Sequence, residues 1–488
     1  MRVAGLFRRI AVCTALPVAC AVWAHAEGPE SIEDLVSRVG RTRWTTTNAV
    51  ELVVDPRLAW QARLDLVGSA RHHILISTFA WHNDAYGRDF RQFIKTVVHQ
   101  RKTEGIDVTV RVLGDASAFG LFTRAFDGLE REGAQVRGFN RSSWGLTAMY
   151  DVRMHDKVVI ADGQRALVGG RNYADLYFDP LRWWLDLGVS LEGPAVDDLQ
   201  MNFLKSWELT EFNRKARRYL LRQEMLVKDL RTFWFTGRYP NGKSPLQQFM
   251  TTAYFPRWSE PAGSVPVAVL YDNPLLRRRA ATTDLLIALA GRAVDRIDLM
   301  TPFPNMPPDL TESLVAASAR GVKVRVVVNG DEAAIRGGPF LTSSYPTLIQ
   351  LIEAGAEVWA WRANGNLQDA IEASGCNPQL MPPIALHGKM VRVDDDLSIV
   401  HSSNFNIRST YYNTEEGVVV LDREFNRVLG DLVDQLIEKR DVFLECQEGQ
   451  TPPALPPIMD LLTTDDLPAM REELGHKQGT LDAWSVMW

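Results

Sequence analysis

A nine-residue pattern occurs twice in the chain, and this duplication constrains the possible fold more than any other feature. Met154-His155-Asp156-Lys157-Val158-Val159-Ile160-Ala161-Asp162 and Leu386-His387-Gly388-Lys389-Met390-Val391-Arg392-Val393-Asp394 both place Lys two residues after His and Asp five after Lys. What precedes the patterns repeats as well. Residues 60–69, 73–79, 87–104 and 107–113 read as helix, buried strand, helix and strand, ending at Gly114-Asp115. Residues 282–294, 297–301, 308–320 and 322–328 repeat that order and end at Gly330-Asp331. The separation of Gly114 from Gly330 exceeds any solenoid period and suits a duplicated domain. Alternating helices and apolar strands predict α/β layers with strands covered on both faces. The second copy is longer between its Gly-Asp and its pattern, and the turn-rich stretches near residues 337–338 and 364–383 accommodate the excess.

At 488 residues, 46% of them hydrophobic, the chain can bury two cores. Lys and Arg number 54 against 60 Asp and Glu, a net charge of −6 that argues against a dedicated nucleic-acid binder. Arg2, Arg8 and Arg9 precede an apolar run over residues 10–23 and then Ala24-His25-Ala26, the pattern of a secretory signal peptide. The run is short for a membrane span and contains Pro17, so cleavage is favoured over an anchor; lipidation at Cys20 is the weaker alternative. Cleavage after Ala26 removes three Arg, making the mature chain more acidic, and leaves Cys376 and Cys446, either a disulfide or two separate thiols. The sequence thus divides into a signal peptide (1–26), a first lobe (27–207), a linker with a basic and aromatic stretch (208–266), a second lobe (267–446) and a Pro-rich acidic segment (447–488) expected to be extended or mobile.

Along a strand, residues i and i+2 share a face, so His155 and Lys157 are expected to emerge together, as are His387 and Lys389. Turns at Asp162-Gly163 and Asp394-Asp395-Asp396 lead into return strands that deliver Asn172 and Asn404 to similar places. Paired Lys and Asn donors suit the oxygens of a phosphoryl group, and paired His supply a nucleophile and a general acid/base. This set fits phosphodiester attack without a metal or other cofactor, because the ammonium beside each imidazole repels a cation. No G-x-S-x-G elbow is present.

With two His-x-Lys-x-x-x-x-Asp motifs, each followed by a small-residue turn and Asn, the chain resembles the phospholipase D superfamily. Gly169-Gly170-Arg171-Asn172, Asn404-Phe405-Asn406-Ile407-Arg408-Ser409 and Asn413-Thr414-Glu415 look like bacterial cardiolipin synthases within it, as do residues 191–196 followed by Phe203 and Trp207. The resemblance implies two pseudo-symmetric α/β lobes, each a mixed sheet flanked by helices, with the active site between them. It implies a two-step reaction in which His155 attacks phosphorus to give a phosphohistidine and His387 serves as general acid/base, the reverse assignment remaining open. Lys157, Lys389, Asn172 and Asn404 would hold the phosphate. A carboxylate at a similar distance past each His, here Asp186 after His155 and Glu415 after His387, would orient the imidazoles. Asp162 and Asp394 are expected to support the fold. Two departures stand out: His401, where the family usually has Gly, either adds a third imidazole beside the pocket or crowds it, and Asn406 stands where Asp is common.

The expected substrates are a phospholipid with an alcohol or water as acceptor, handled by an exported protein, periplasmic or secreted. Arg214, Lys215, Arg217, Arg218, Arg222, Lys228 and Arg231, followed by Phe233-Trp234-Phe235, suit contact with an anionic membrane surface, though a solvated face with aromatics packed between lobes accounts for them slightly better. The alternatives are a nuclease or other phosphodiesterase using the same chemistry, which the acidic charge disfavours, and a non-catalytic lipid-binding protein. The oligomeric state is not legible; a monomer is compatible with the internal duplication.

Overall fold

Valine- and isoleucine-rich segments between amphipathic helices form strands buried on both faces. The computed structural model describes residues 30–115, 126–139, 152–223, 262–330, 342–362, 370–371, 373–438, 443–453, 455 and 458–484. The expected signal peptide, the side chains of the basic and aromatic stretch, and residues 337–338 lie outside the described residues.

The first half contributes β1 (Trp44–Val53), β2 (His73–Thr78), β3 (Thr109–Asp115), β4 (Gln135–Phe139), β5 (Arg153–Met154), β6 (Val158–Ala161), β7 (Arg165–Gly169), β8 (Trp184–Leu185) and β9 (Gly188–Glu192). The second contributes β10 (Val265–Asp272), β11 (Arg296–Met300), β12 (Lys323–Asn329), β13 (Glu357–Trp361), β14 (Pro378–Leu380), β15 (Ala385–Leu386), β16 (Met390–Val393), β17 (Leu397–His401), β18 (Asn413–Leu421), β19 (Glu445–Cys446) and β20 (Met459–Leu462). A 16-stranded sheet runs β20-β13-β12-β11-β16-β17-β18-β10-β1-β9-β7-β6-β2-β3-β4, with β5 attached to β18 beside that path. Outward from the antiparallel pair β1·β10, the arms correspond strand for strand: β9, β7, β6, β2, β3, β4 against β18, β17, β16, β11, β12, β13. The duplicated order in the sequence is therefore a pseudo-twofold in space.

The helices read from sequence form where their first turns are prepared for them. Pro56–Ser69 has Pro at its first position and Asp55 capping the N–H of Arg57 at 2.7 Å; Ala85–Thr103 is capped by Asp84 at the N–H of Gly87. Leu66, Val67, Phe90 and Ile94 of these helices pack on one face of the first half, and Leu285, Leu289, Leu310 and Leu314 of Ala281–Arg292 and Pro308–Ala319 do the same in the second. On the other face, Ala195–Gln223 and Arg423–Glu438 add Leu199, Phe203, Leu429 and Val433 to one core that includes Val168 and Val189 of the first half and Val400 and Val418 of the second. Each such buried side chain contributes about 1.5–3 kcal/mol, so the shared core couples the halves.

The C-terminal segment differs from expectation. β20 pairs antiparallel with β13 as the outermost strand, and a helix follows over Leu467–Trp484. Leu467 and Met470, one turn apart, enter the core of the second half, while the Glu473 carboxylate accepts hydrogen bonds from Thr342 and Tyr345 at 3.1 Å. Pro and acidic residues mask this apolar face in the composition. Regular structure also enters the stretch read as a linker from both ends: Ala195–Gln223 runs through residue 207, and β10 begins at Val265. Cys376 and Cys446 form a disulfide with Cα atoms 5.5 Å apart, beside the β14·β19 pair.

Asp162 and Asp394, the last residues of the repeated patterns, occupy equivalent turns with φ of 55° and 50°. The Asp162 carboxylate accepts the backbone N–H groups of Arg71, His72 and His73 at 2.7–2.9 Å, and Asp394 accepts those of Val294, Asp295 and Arg296 at 2.8–3.2 Å. Each carboxylate thus ties the turn after one strand to the entry of its neighbour. Replacing Asp162 by Ala removes the acceptor and puts Ala in left-handed backbone; Asp162→Ala is expected to lower the stability in denaturant unfolding by about 2–3 kcal/mol. Asp162→Asn, which keeps an acceptor and tolerates that backbone, should lose less than half as much.

Candidate active site

Each His-x-Lys triplet sits where the chain leaves one sheet for another. β5 runs parallel to Asn413-Thr414 of β18 in the opposite half, and β15 runs parallel to β8. Immediately after the Lys, β6 and β16 return to their own halves against β2 and β11. The triplets therefore lie at breaks between short strands and not inside one continuous strand. The His155 N–H donates to the Thr414 carbonyl at 3.0 Å and the His387 N–H to the Leu185 carbonyl at 2.7 Å, so each backbone is held by the other half.

This exchange crosses the carboxylates over. His155 Nδ1 lies 2.8 Å from Glu415 Oε2, and His387 Nδ1 lies 2.6 Å from Asp186 Oδ2. Each imidazole is thus paired with the acid from the opposite half, and all four groups are buried. Glu415 accepts three further hydrogen bonds, from Ser402 Oγ at 2.5 Å, Ser409 Oγ at 2.7 Å and Asn413 Nδ2 at 3.0 Å. Burial alone would raise its pKa, but the charge and hydrogen bond of His155, with Lys157 and Ser402, hold it down at about 2. Asp186 is likewise held below its ordinary value against burial, by the charges of Lys389 and His387. Burial pushes the imidazoles down, His155 to about 4 and His387 to about 3, with the nearby ammonium groups adding to it and the carboxylates opposing. The free site therefore holds neutral imidazoles whose Nδ1–H groups donate to ionised carboxylates, leaving each Nε2 with its lone pair. Gly170 makes this possible on one side: a Cβ there would lie 2.1 Å from Asp186 Oδ1.

Lys157 Nζ donates to the carbonyl of His155 at 2.6 Å, and Lys389 Nζ to that of His387. Lys389 Nζ also lies 2.9 Å from His387 Nδ1, but the shorter contact assigns that nitrogen's proton to Asp186. Burial lowers both ammonium groups, Lys157 to about 7 and Lys389 to about 8; the carboxylates oppose this. Each imidazole senses both ammonium groups, which brings the two triplets into one electrostatic unit. The Asn172 amide is held by the Ala80 N–H at 3.1 Å and the Tyr177 hydroxyl at 3.0 Å, while the buried Oδ1 of Asn404 has no partner among the described residues.

His401 is fully buried, its Nδ1 accepting the Ser403 N–H at 3.0 Å and its ring against Gly417. Asn406 caps the short helix Ile407–Tyr411 through Ser409 N–H, a role that needs only an acceptor oxygen. Several neighbours escaped sequence reasoning. The Trp184 ring stacks on His387 at 5.6 Å, Tyr177 meets the same imidazole edge-on, and Phe79 meets His155 at 5.2 Å. Ser402 and Ser409 flank residues already singled out, but nothing in their spacing points to Glu415. Among the described residues no group of three or more His, Cys, Asp or Glu is placed to hold a metal ion.

Residues 286–437 match the family model described as cardiolipin synthase, PLD-like domain. The chain is 24% identical over 407 residues to cardiolipin synthase A of Pseudomonas entomophila (strain L48), covering 82% of this chain and 70% of that one. It is 26% identical over 409 residues to cardiolipin synthase A of Pseudomonas aeruginosa (strain LESB58), covering 82% and 69%. The fold is shared with the crystal structure of phosphatidylserine synthase from Haemophilus influenzae Rd KW20, at a TM-score of 0.62 and 13% identity over 93% of this chain and 99% of that one. The chain thus carries a duplicated His-x-Lys-x-x-x-x-Asp unit folded about one pseudo-twofold, is similar in sequence to these cardiolipin synthases, and matches a PLD-like domain over residues 286–437.

Proposed function

We propose that the protein is a phosphatidyltransferase that cleaves a phospholipid phosphodiester through a phosphohistidine and passes the phosphatidyl group to an alcohol or to water. The observation that carries this reading is the crossed pair of buried carboxylate–imidazole contacts, which fixes both Nδ1 atoms and leaves two Nε2 atoms for chemistry. The names of the similar cardiolipin synthases support phospholipid as the substrate class.

In the first step, Nε2 of His155 attacks phosphorus, the bond to the leaving alcohol breaks, and Nε2–H of His387 protonates the departing oxygen. In the second step, the acceptor gives its proton to His387 and attacks phosphorus, and the phosphorus–nitrogen bond breaks to restore His155. His387 must enter the cycle protonated although burial disfavours that charge; the bound phosphodiester anion offsets the cost as Lys157 and Lys389 hold its oxygens. Asp186 and Glu415 keep each ring oriented and stabilise the imidazolium when it forms. The apparent signal peptide supports an exported protein; no helix among the described residues is long and apolar enough to cross a membrane. The division into lobes at 27–207 and 267–446 with a 208–266 linker remains part of this proposal.

The test is incubation of the purified protein with mixed phospholipids including phosphatidylglycerol, plus a primary alcohol, and separately with DNA. A phosphatidyl-alcohol product that falls to background in His155→Ala is expected; DNA cleavage without lipid turnover would replace this reading with a nuclease. His387→Ala should slow turnover by about 10²–10⁴-fold. Asp186→Asn is expected to reproduce most of the His387→Ala defect and Glu415→Gln that of His155→Ala, since the pairs cross between halves; the reverse matching in single-turnover rates would refute the assignment. Because Lys157 and Lys389 lose their charge through about pH 7 and 8, the KM for a short-chain phosphatidylglycerol should rise at least about tenfold between pH 7 and 9. A flat KM profile over that range would remove the two ammonium groups from phosphate binding.

A further inference from the structure

A second concentration of positive charge lies away from the imidazoles. A cavity of about 360 Å³ opens between the start of β1, the helix Ala195–Gln223 and the end of β10, and Arg41, Arg43, Lys205 and Arg277 line it. The single carboxylate on its wall among the described residues, Asp198, is engaged by Arg43 at 3.0 Å. The guanidinium groups of Arg41 and Arg277 donate no hydrogen bond and form no ion pair among the described residues. Lys205 uses one donor on Asn202 Oδ1 at 3.0 Å.

These cations oppose one another. Burial lowers the pKa of Arg277 and the charge of Arg41 lowers it further, with Asp272 opposing; burial also lowers Lys205, with Arg277 adding to it against Glu416 and Asp198. Glu416, behind the wall, does not line the cavity: it accepts from Asn202 Nδ2 at 2.9 Å, and burial together with the charge of Asp156 raises its pKa well above the ordinary carboxyl range. Convergent cations with unused donors around a volume at the lower end of ligand pockets form a site for a compact anion. The fork of a guanidinium matches phosphate oxygens in particular.

The cavity is separate from the candidate active site. Tyr271 on its wall faces Glu416 across the β10·β18 ladder, whereas the preceding residue of β18, Glu415, turns to the other face to meet His155. Tyr271 is braced by the Ser206 hydroxyl at 2.6 Å and Asn273 Nδ2 at 2.8 Å, so the wall is built and not a loose surface.

We propose that the cavity bounded by Arg41, Arg43, Lys205 and Arg277 is a second anion site, taking a phosphate group either free or as the headgroup of an anionic phospholipid. It takes no part in bond cleavage and does not depend on the reaction proposed above.

Hydrogen exchange read by mass spectrometry on the full chain locates binding, which separates this cavity from the imidazole site. Inorganic phosphate is expected to slow exchange several-fold in peptides covering residues 41–44, 202–206 and 271–277. Arg41→Gln and Arg277→Gln, each made singly and then together, should abolish that protection while phospholipid turnover is kept. Vesicles of phosphatidylglycerol in phosphate-free buffer form the second arm, with phosphatidylcholine vesicles as control. Protection by free phosphate alone identifies a soluble anion as the ligand, and protection by phosphatidylglycerol vesicles identifies the headgroup. Absence of protection in these peptides with both probes, or protection unchanged in a double variant whose unfolding midpoint matches the parent, would overturn the proposal.

Discussion

The candidate site rests on two short contacts, Glu415 to His155 and Asp186 to His387, each joining a buried carboxylate of one half to a buried imidazole of the other. A lone ionised carboxylate in such surroundings would cost several kcal/mol or take up a proton. Glu415 stays ionised because four donors converge on it; three come from side chains that lie close to it in the sequence, Ser402, Ser409 and Asn413. The arrangement can form only when the two-residue strands β5 and β15 cross to β18 and β8. The geometry of the imidazoles is therefore a property of the seam, and the core shared by both halves holds that seam closed.

Much of this was legible in the sequence because it is local. The repeated order of helix and strand follows from apolar periodicity, and the observed elements fall within two residues of most expected boundaries, with Pro56–Ser69 starting a turn earlier behind its Asp55 cap. His155, Lys157, His387 and Lys389 were recognisable by spacing, Asp186 and Glu415 only through the resemblance, and the six meet in space. Which acid serves which imidazole was not recognisable, because two-residue strand pairings between opposite halves of the chain leave no periodic signal. The C-terminal strand and helix were hidden for a related reason: β20 acquires its conformation from the open edge of β13, not from its own composition.

The placement of Asp162 and Asp394 shows how the repeated pattern divides between seam and scaffold. His and Lys of each motif are turned to the seam, whereas the closing Asp faces away and ties backbone N–H groups at the entry to β2 or β11. A single short motif thus presents its His and Lys at the seam and closes on a residue that braces the backbone. Their separation by one strand length explains the spacing of five between Lys and Asp, since β6 and β16 occupy the residues between.

The crossing of the carboxylates bears on how such a chain can change over generations. After a duplication, two copies usually drift apart, one keeping the ancestral role while the other is free to vary. Here each copy supplies the acid on which the other copy's imidazole depends, so a substitution at Asp186 is felt at His387 and one at Glu415 is felt at His155. Neither half holds a complete set of groups to lose or keep alone. The exchanged strands make the two copies hostages to one another: whatever else differs between them, each must keep an acid where the other's imidazole needs it.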